Sequence, residues 1–343
     1  MTDVTAFAHG LPKAELHLHL EGTLEPELKF ALAERNGIAL AEKTVDEVRA
    51  TYDFTDLTSF LAVYYPAMGV LQTADDFHDL AWAYLVRAHA QGVVHAEMFF
   101  DPQAHTSRGV PFDTVITGYR RAVVRAQDQL GVSAELILCF LRDFSAEYAM
   151  ATLMEALPYR SWIVGVGLDS DERDNPPSKF AAVFARANAE GFLLTMHCDI
   201  DQPGSIEHIR QVLTEIGVDR IDHGTNIVED PALVALVKER GLGLTCCPVS
   251  NSFVTAQMKA EEIVTLLRDG VRVTVNSDDP AYFGGYVADN YVALAEQAAL
   301  EPADLAQLAI NSFEASWLTP SRRAAFIERV REYAAEHGVA SLA

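Results

Sequence analysis

The chain has 343 residues, half of them hydrophobic, which is enough to build one large core. Lys and Arg number 26 against 49 Asp and Glu, so the formal net charge at pH 7 is −23. Nucleic acids and anionic membranes need basic side chains to neutralise their charge, so this composition argues against both as partners. We also find no apolar run of about 18 residues, the length that a transmembrane helix needs.

The N-terminus and the cysteines bear on the compartment. Residues 1–5 lack the basic and apolar segments of a secretory signal. The four cysteines have no disulfide-framework spacing and lie in apolar, strand-like segments at Cys139, Cys198, Cys246 and Cys247. These features predict buried, reduced thiols in a reducing compartment, and hence a cytoplasmic location.

Eight short apolar segments recur along the chain, and amphipathic stretches separate most of them. The apolar segments predict strands at Ala14–Leu20, Gly92–Phe100, Val132–Leu141, Trp162–Leu168, Phe192–His197, Val218–His223, Gly241–Cys247 and Val271–Ser277. The amphipathic stretches predict helices that include Glu27–Asn36, Thr114–Gln129, Lys179–Glu190, Ser205–Ile216, Pro231–Arg240 and Glu261–Asp269. Alternating strands and helices indicate a parallel sheet, and eight units favour an α/β fold of the (β/α)8 TIM-barrel type. A doubly wound open sheet is the alternative, but no Gly-x-Gly-x-x-Gly motif follows the first strand.

We expect residues 1–343 to form a single domain with two additions to the barrel. The segment Phe54–Gln72, between the first and second strands, is rich in large apolar and aromatic residues. It predicts a helical lid over the barrel mouth, with an ordinary core helix as the alternative. The residues after Glu301 predict helices that pack on the outside of the barrel.

His17 and His19 lie in a segment where every second residue from Leu16 to Leu20 is apolar, a pattern typical of a strand. Residues i and i+2 of a strand point to the same face, so the two imidazoles are expected to lie side by side. Two neutral imidazoles on one face can share a zinc-type ion. The pair alone is equally consistent with chance.

Polar residues at the ends of other predicted strands decide the matter. In a barrel of this type the active site lies at the C-terminal ends of the strands. Those ends carry His197, Asp222, His223, Asp278 and Asp279 in addition to the first pair. Three imidazoles and one carboxylate suit a single catalytic zinc ion, which lowers the pKa of bound water towards about 7.

Each of these residues could also have a purely structural role and no part in catalysis or metal binding. His197 alone could be a core histidine, His223 could form an ion pair with Asp222, and Asp278 and Asp279 could belong to a turn before Pro280. Four such coincidences, all at strand ends, are improbable. The remaining histidines, His208 among them, are assigned no role.

Three segments resemble signatures of the adenosine/adenine deaminase family of the amidohydrolase superfamily. They are Pro12–Gly22, Ile221–Gly224 and Val273–Pro280. Further segments resemble the bacterial and fungal adenine deaminases in particular: Phe99–Gln103, Gly167–Ser170, Pro176–Phe180 and Ala281–Tyr286. Matching segments cover nearly the whole chain.

The resemblance implies a metal-dependent hydrolase with one zinc ion per chain. The ligands would be His17, His19, His197 and Asp278, with Asp278 also part of the catalytic machinery. His223 would orient the attacking hydroxide or help to form it. Hydroxide would add to C6 of an aminopurine, and ammonia would leave.

The resemblance also implies how the substrate is bound. Asp279 would hydrogen-bond the purine near its imidazole nitrogen. Gly167, Asp169, Ser170 and Glu172, at and after the fourth strand, would recognise the far side of the base. A purine or related heterocycle is therefore the expected partner, and a homo-oligomer is compatible with the family.

One motif departs from the family pattern. The family has His-Ala-Gly-Glu after the fifth strand, and its Glu protonates a purine ring nitrogen. Here Ile200 stands in that place, and it cannot donate a proton. General acid catalysis of this kind is worth roughly 10²–10⁴ in rate.

Three hypotheses follow from this departure. In the first, Asp199 or Asp201 supplies the proton and the protein deaminates an aminopurine such as adenine. In the second, the metal site acts on a different heterocycle or amide that needs no proton there. In the third, the protein binds a purine or zinc without turnover. The third is the weakest, because all the hydroxide-forming residues remain.

Overall fold

The computed structural model describes residues 3–198, 202–255 and 257–339. Eight parallel strands form one sheet in chain order. The strands are β1 Lys13–Glu15, β2 Val93–Phe100, β3 Ser133–Leu141, β4 Ile163–Asp169, β5 Leu193–Cys198, β6 Arg220–His223, β7 Gly243–Cys246 and β8 Arg272–Val275. A parallel bridge between Leu18 and Asp278 joins the two ends of the sheet. The (β/α)8 barrel is therefore confirmed.

Helices follow the strands and cover the barrel. In chain order they are α1 Val4–Gly10, α2 Pro26–Arg35, α3 Val45–Arg49, α4 Leu57–Ala67, α5 Ala74–Ala90, α6 Pro102–Thr106, α7 Phe112–Leu130, α8 Ala146–Ala156, α9 Ala181–Ala189, α10 Ser205–Gln211, α11 Pro231–Arg240, α12 Pro248–Val254, α13 Ala260–Arg268, α14 Pro280–Phe283, α15 Val287–Ala298, α16 Pro302–Glu314 and α17 Pro320–Glu336. As expected, the last two are C-terminal additions, and α16 packs against β1 and β8.

The first strand is shorter than the sequence pattern predicts. β1 ends at Glu15, so His17 and His19 lie beyond it, and the prediction of a strand through Leu20 is wrong in its extent. The chain past Glu15 continues along the barrel through two isolated bridges, Leu18 to Asp278 and His19 to Phe99. The ladder is interrupted directly after Glu15, where the backbone N–H of Leu16 donates to the side-chain oxygen of Asn276 at 2.8 Å and not to a strand backbone.

A buried ion pair fills the barrel interior below the predicted site. Arg220 of β6 donates to the carboxylate of Glu97 on β2, and both side chains are fully buried. His95 lies 3.1 Å from the same carboxylate, and the backbone N–H of Trp317 donates to it at 2.6 Å. The guanidinium also stacks on the Trp317 ring, 4.1 Å from its centre. The two buried charges are thus paired with each other, although Nε of Arg220 has no hydrogen-bond partner among the described residues.

The segment between β1 and β2 forms the helix that the sequence predicts. Asp56 caps α4, and Ser59 returns a hydrogen bond to the cap in a capping box. The buried face of α4 carries Phe60 and Tyr64, which pack against the aromatic rings that follow β8. α4 therefore lies across the C-terminal end of the barrel.

All four cysteines are buried thiols, as predicted. Among the described residues, no helix combines the length and the apolar character that crossing a bilayer requires.

Candidate active site

A cavity opens at the C-terminal ends of the strands, beneath α4. Its volume is about 660 Å³ with the open mouth included. Predicted site residues line it: His19, Asp169, Ser170, Glu172, His197, His223, Asp278 and Asp279. Gly167 is not among the described residues that line the cavity, and a Cβ built on it would lie 2.6 Å from Sγ of Cys139.

The four predicted metal ligands converge at the base of this cavity. Nε2 of His17 and Nε2 of His19 each lie 3.4 Å from Oδ1 of Asp278. Nε2 of His19 lies 3.0 Å from Nε2 of His197. Ligand atoms at 2.0–2.1 Å from a tetrahedral ion lie about 3.3 Å apart, so the spacing suits one shared ion.

Hydrogen bonds on the far side of two rings set their tautomers. Nδ1 of His17 donates to the Thr245 hydroxyl at 2.9 Å, and that hydroxyl donates to Asp222 at 3.0 Å. Nδ1 of His197 donates to the backbone carbonyl of Leu168 at 3.1 Å. Both rings therefore present an Nε2 lone pair to the cavity, which is how metal-binding histidines are normally oriented.

The electrostatics of the cluster favour a cation between the imidazoles and the carboxylate. Burial lowers the pKa of His19 to about 4 and that of His197 well below its usual range, so both rings are neutral. Burial also lowers the pKa of His17, but Asp278 outweighs it and the net pKa is raised. Conversely, burial raises the pKa of Asp278, but the histidines bring it well below its usual value.

Nε2 of His17 is buried and has no hydrogen-bond partner among the described residues. The donor set therefore fits a zinc-type ion.

His223 stands beside this cluster on the cavity wall. Its Nε2 lies 3.8 Å from Oδ2 of Asp278. One possible ligand atom from each of His17, His197, His223 and Asp278 lies within 4.8 Å of the other three, so His223 is also placed where it could bind the ion. Its pKa is lowered to about 4, mainly by burial and to a smaller extent by the neighbouring His17. The ring is therefore neutral and can accept a proton.

Asp278 is held by its backbone and by one side chain. Its φ is +65°, in the left-handed region that a non-glycine residue rarely adopts. The backbone N–H of Asp278 donates to the carbonyl of His17, and His19 donates to the carbonyl of Asp278. The Ser250 hydroxyl donates to Oδ2 of the carboxylate at 2.6 Å. Strained backbone of this kind, tied by hydrogen bonds, is typical of functional sites.

Asp279 lies next to the predicted ligand and is also buried. Burial, and then the charge of Asp278, raise its pKa well above the usual value. Its position depends on Gly22, because a Cβ built on that residue would lie only 2.7 Å from the Cα of Asp279.

The loop after β4 forms another wall. Oδ2 of Asp169 lies 3.4 Å from Nδ1 of His19, and burial raises the pKa of this carboxyl to about 7. Asp101, at the end of β2, lies in the same cluster, and its pKa is raised well above normal by burial and by Asp169. Ser170 accepts a hydrogen bond of 2.8 Å from the Tyr65 hydroxyl of α4.

Two residues that the sequence analysis did not assign to the site support this wall: Arg142 lines it, and His208 contacts Glu172 of the lining. Oε1 of Glu172 lies 2.6 Å from Nδ1 of His208 on α10. Arg142, after β3, is fully buried and donates from Nη1 to the carbonyl of His197 at 2.8 Å. Its Nη2 has no hydrogen-bond partner among the described residues. Neither residue could be found from a motif. His208 lies outside the motif that begins at His197, and Arg142 follows an ordinary apolar strand.

The predicted replacements for the family's general acid, Asp199 and Asp201, lie outside the described residues, as does Ile200. Their placement in the site stays a prediction.

Known proteins that are similar to this chain in sequence and in fold include adenine deaminases. The sequence profile of the adenosine deaminase family matches residues 12–333. An adenine deaminase from Rhodospirillum rubrum is 51% identical over 321 residues, 93% of this chain and 96% of that protein. A crystal structure of adenine deaminase from Arthrobacter aurescens has a TM-score of 0.91 and 45% identity, covering 95% of this chain and 99% of that one. An amidohydrolase from Burkholderia ambifaria with bound Zn has a TM-score of 0.87 and 27% identity, covering 98% and 96%.

Proposed function

Because the chain belongs to the adenosine deaminase family, we propose that it is a metal-dependent hydrolase that converts adenine to hypoxanthine and ammonia. The observation that carries the proposal is the convergence of His17, His19, His197 and Asp278 at the base of the cavity. Relatives about half identical along nearly their whole length are adenine deaminases, which supports adenine as the substrate.

His17, His19, His197 and Asp278 would hold one zinc ion. Neutral nitrogen ligands with one carboxylate match the preference of zinc, and the bound Zn of the Burkholderia amidohydrolase supports that choice. When bound, such an ion lowers the pKa of water so that hydroxide is available near neutral pH.

The remaining residues would move protons and position the base. His223 is neutral and borders the ligand cluster, so it accepts the proton that water loses as its oxygen attacks C6. Asp279, on the β8 side, hydrogen-bonds the imidazole part of the purine. Asp169 and Ser170 face its far side from the β4 loop, and the amino group leaves as ammonia.

The closed wall supports a base rather than a nucleoside as substrate. Tyr65 of α4 is hydrogen-bonded to Ser170, and the two residues join α4 to the β4 loop at the cavity wall. α4 therefore acts as the lid, and a bulky sugar would need this contact to open. The buried, reduced thiols favour a cytoplasmic location for the enzyme.

The experiment that tests the proposal is a substrate panel with zinc-loaded protein, assayed for ammonia. It should contain adenine, N6-substituted purines, adenosine and a pterin. We expect adenine to give the highest kcat/KM and to yield hypoxanthine in amounts equal to the ammonia released. Ammonia release from none of the panel would contradict the proposal, and zinc binding without turnover would favour a binding protein.

A second candidate is an amidohydrolase of the same fold that acts on another heterocycle. Ile200 favours it, because the family's proton donor is missing from that place. In the same panel this candidate predicts a preferred substrate other than adenine, by about tenfold or more in kcat/KM.

A further inference from the structure

A carboxyl–imidazole pair borders the cavity on the side of the barrel where β4 and β5 end. Oε1 of Glu172, on the loop after β4, lies 2.6 Å from Nδ1 of His208, on the helix after β5. Nε2 of Gln202 lies 3.3 Å from the same ring nitrogen. The Glu172 side chain is 3% exposed and lines the cavity, whereas that of His208 is 13% exposed. A short, shielded pair of this kind can hold a proton at the cavity and exchange it with solvent through the imidazole.

The barrel topology places this pair at the correct edge of the substrate. The strands run in order from β1 to β8, so the β4 and β8 ends lie on opposite sides of the mouth. If Asp279, after β8, holds the imidazole part of adenine, the six-membered ring points towards β4 and β5. N1, the ring nitrogen next to C6, is then on the side where Glu172 lies.

We propose that Glu172 is the general acid of this enzyme and that His208 returns a proton to it after each transfer. The inference rests on the proposed adenine deaminase function. As hydroxide adds to C6, the electron pair of the C6–N1 double bond moves to N1, which takes the proton of the Glu172 carboxyl group. Glu172 becomes a carboxylate and is protonated again by His208, which is recharged from solvent. His223 passes the proton that it took from water to the amino nitrogen, and the C6–N bond breaks with its electron pair leaving on ammonia. The C6–O double bond forms as the hydroxyl group loses its proton to solvent, which offsets the proton that His208 takes up.

The other carboxyl groups of the wall are less suited to this role. Asp169 and Asp101 cluster around Nδ1 of His19, a predicted metal ligand, and so lie against the metal centre. Asp279 stands on the opposite, β8 side of the mouth. Glu172 combines a position on the β4 side with a partner that connects it to solvent.

The direct test is Glu172→Gln, which keeps the size of the side chain and its hydrogen bonding but cannot donate an acid proton. We expect kcat for adenine to fall by about 10²–10⁴ while KM changes much less. Glu207→Gln is the matched control, since Glu207 is on the same helix as His208 and its side chain is 55% exposed. It should behave as the wild type.

Chemical rescue separates proton donation from a structural role. Glu172→Ala should regain part of its kcat when formate is added, because formic acid can enter the space and carry the proton. His208→Gln should lose kcat with KM retained, and its kcat should rise with imidazole buffer concentration at constant pH and ionic strength. Zinc content measured for each variant shows whether the metal site is intact.

Two results would overturn the inference. One is Glu172→Gln with kcat within about threefold of wild type and a raised KM, which makes Glu172 a binding residue. The other is a loss of kcat in Glu172→Ala that formate does not rescue, together with a comparable loss in Asp199→Asn or Asp201→Asn. If the wild type itself releases no ammonia from adenine, it is the proposed function that fails.

Discussion

The His17 ring is hydrogen-bonded through Nδ1 to the hydroxyl of Thr245, 2.9 Å away. That hydroxyl in turn donates to Asp222, so a chain of two hydrogen bonds fixes which nitrogen of His17 faces the cavity. Partners of this kind, one step behind the ligands, tune metal sites.

Replacing the hydroxyl should therefore weaken metal binding. We expect Thr245→Val to lower zinc affinity by about 10–100-fold, because His17 loses the acceptor that orients it. Thr245→Ser keeps the hydroxyl and is the matched control. Competition with a chelator of known affinity measures the effect, and equal affinities for the two variants would show that the hydrogen bond has no such role.

Gly22 should be intolerant of any side chain. A Cβ at this position would lie 2.7 Å from the Cα of Asp279, so Gly22→Ala must displace the backbone that carries two site residues. A displacement of about 1 Å can lower a rate by 10²-fold, and we expect a fall of this order in kcat/KM for adenine. Gly69→Ala is the control, because a Cβ there meets nothing within 4 Å. Steady-state kinetics with adenine measures kcat/KM for both variants. An unchanged kcat/KM in Gly22→Ala would refute the packing argument.

The contact between α4 and the β4 loop should govern substrate retention. Tyr65→Phe removes the 2.8 Å hydrogen bond to Ser170. One such bond is worth about 0.5–1.5 kcal/mol, so KM should rise by about 2- to 12-fold with little change in kcat. Hydrogen exchange of α4 should become faster. Tyr159→Phe, which loses an exposed bond to Asp113, serves as the control. An unaltered KM with unaltered exchange would mean that this bond does not hold the lid.

The buried Glu97–Arg220 pair should make stability depend on acid pH. Burial raises the pKa of Glu97, but Arg220 and His95 outweigh it and bring the pKa to about 2. The unfolded value is about 4.3, so the pair contributes stability above pH 4.3 that is lost as the pH falls towards 2. The difference of about two pH units corresponds to about 3 kcal/mol.

Urea unfolding of metal-free wild type and Glu97→Gln tests this dependence. The variant should be about 3–5 kcal/mol less stable at pH 7, because Arg220 is left buried without its partner. The gap between the two proteins should narrow at pH 3. A gap of the same size at both pH values would contradict the assigned pKa.

Much of the barrel could be predicted from the sequence because its strands are continuous apolar runs. All eight predicted strands occur, although β1 ends at Glu15 and the two histidines that follow lie outside it. The segment from Leu16 to Leu20 keeps backbone hydrogen bonds to Phe99 on one side and to Asp278 on the other, but as isolated bridges and not as a continuous strand. Hydrophobic periodicity reports burial, and it cannot report where a ladder stops.

The residues of the candidate site likewise fall into those that the sequence could predict and those that it could not. Residues at or just after the C-terminal ends of strands, such as His197 and Asp278, could be placed together because barrel topology brings strand ends to one face. Glu172 and His208 could not be paired, since they are 36 positions apart in the chain and only the packing of α10 against the β4 loop brings them into contact. Arg142 was missed for a related reason, because burial of its guanidinium depends on tertiary packing.

The central claim is that one metal ion at His17, His19, His197 and Asp278 makes this chain an adenine deaminase. Titration of metal-free protein with Zn²⁺, with hypoxanthine formation followed at each addition, tests it most directly. The rate should rise in proportion to added zinc and level off at one ion per chain, whereas Asp278→Asn should stay inactive throughout. Hypoxanthine formation by metal-free protein, or none with one ion bound, would contradict the claim.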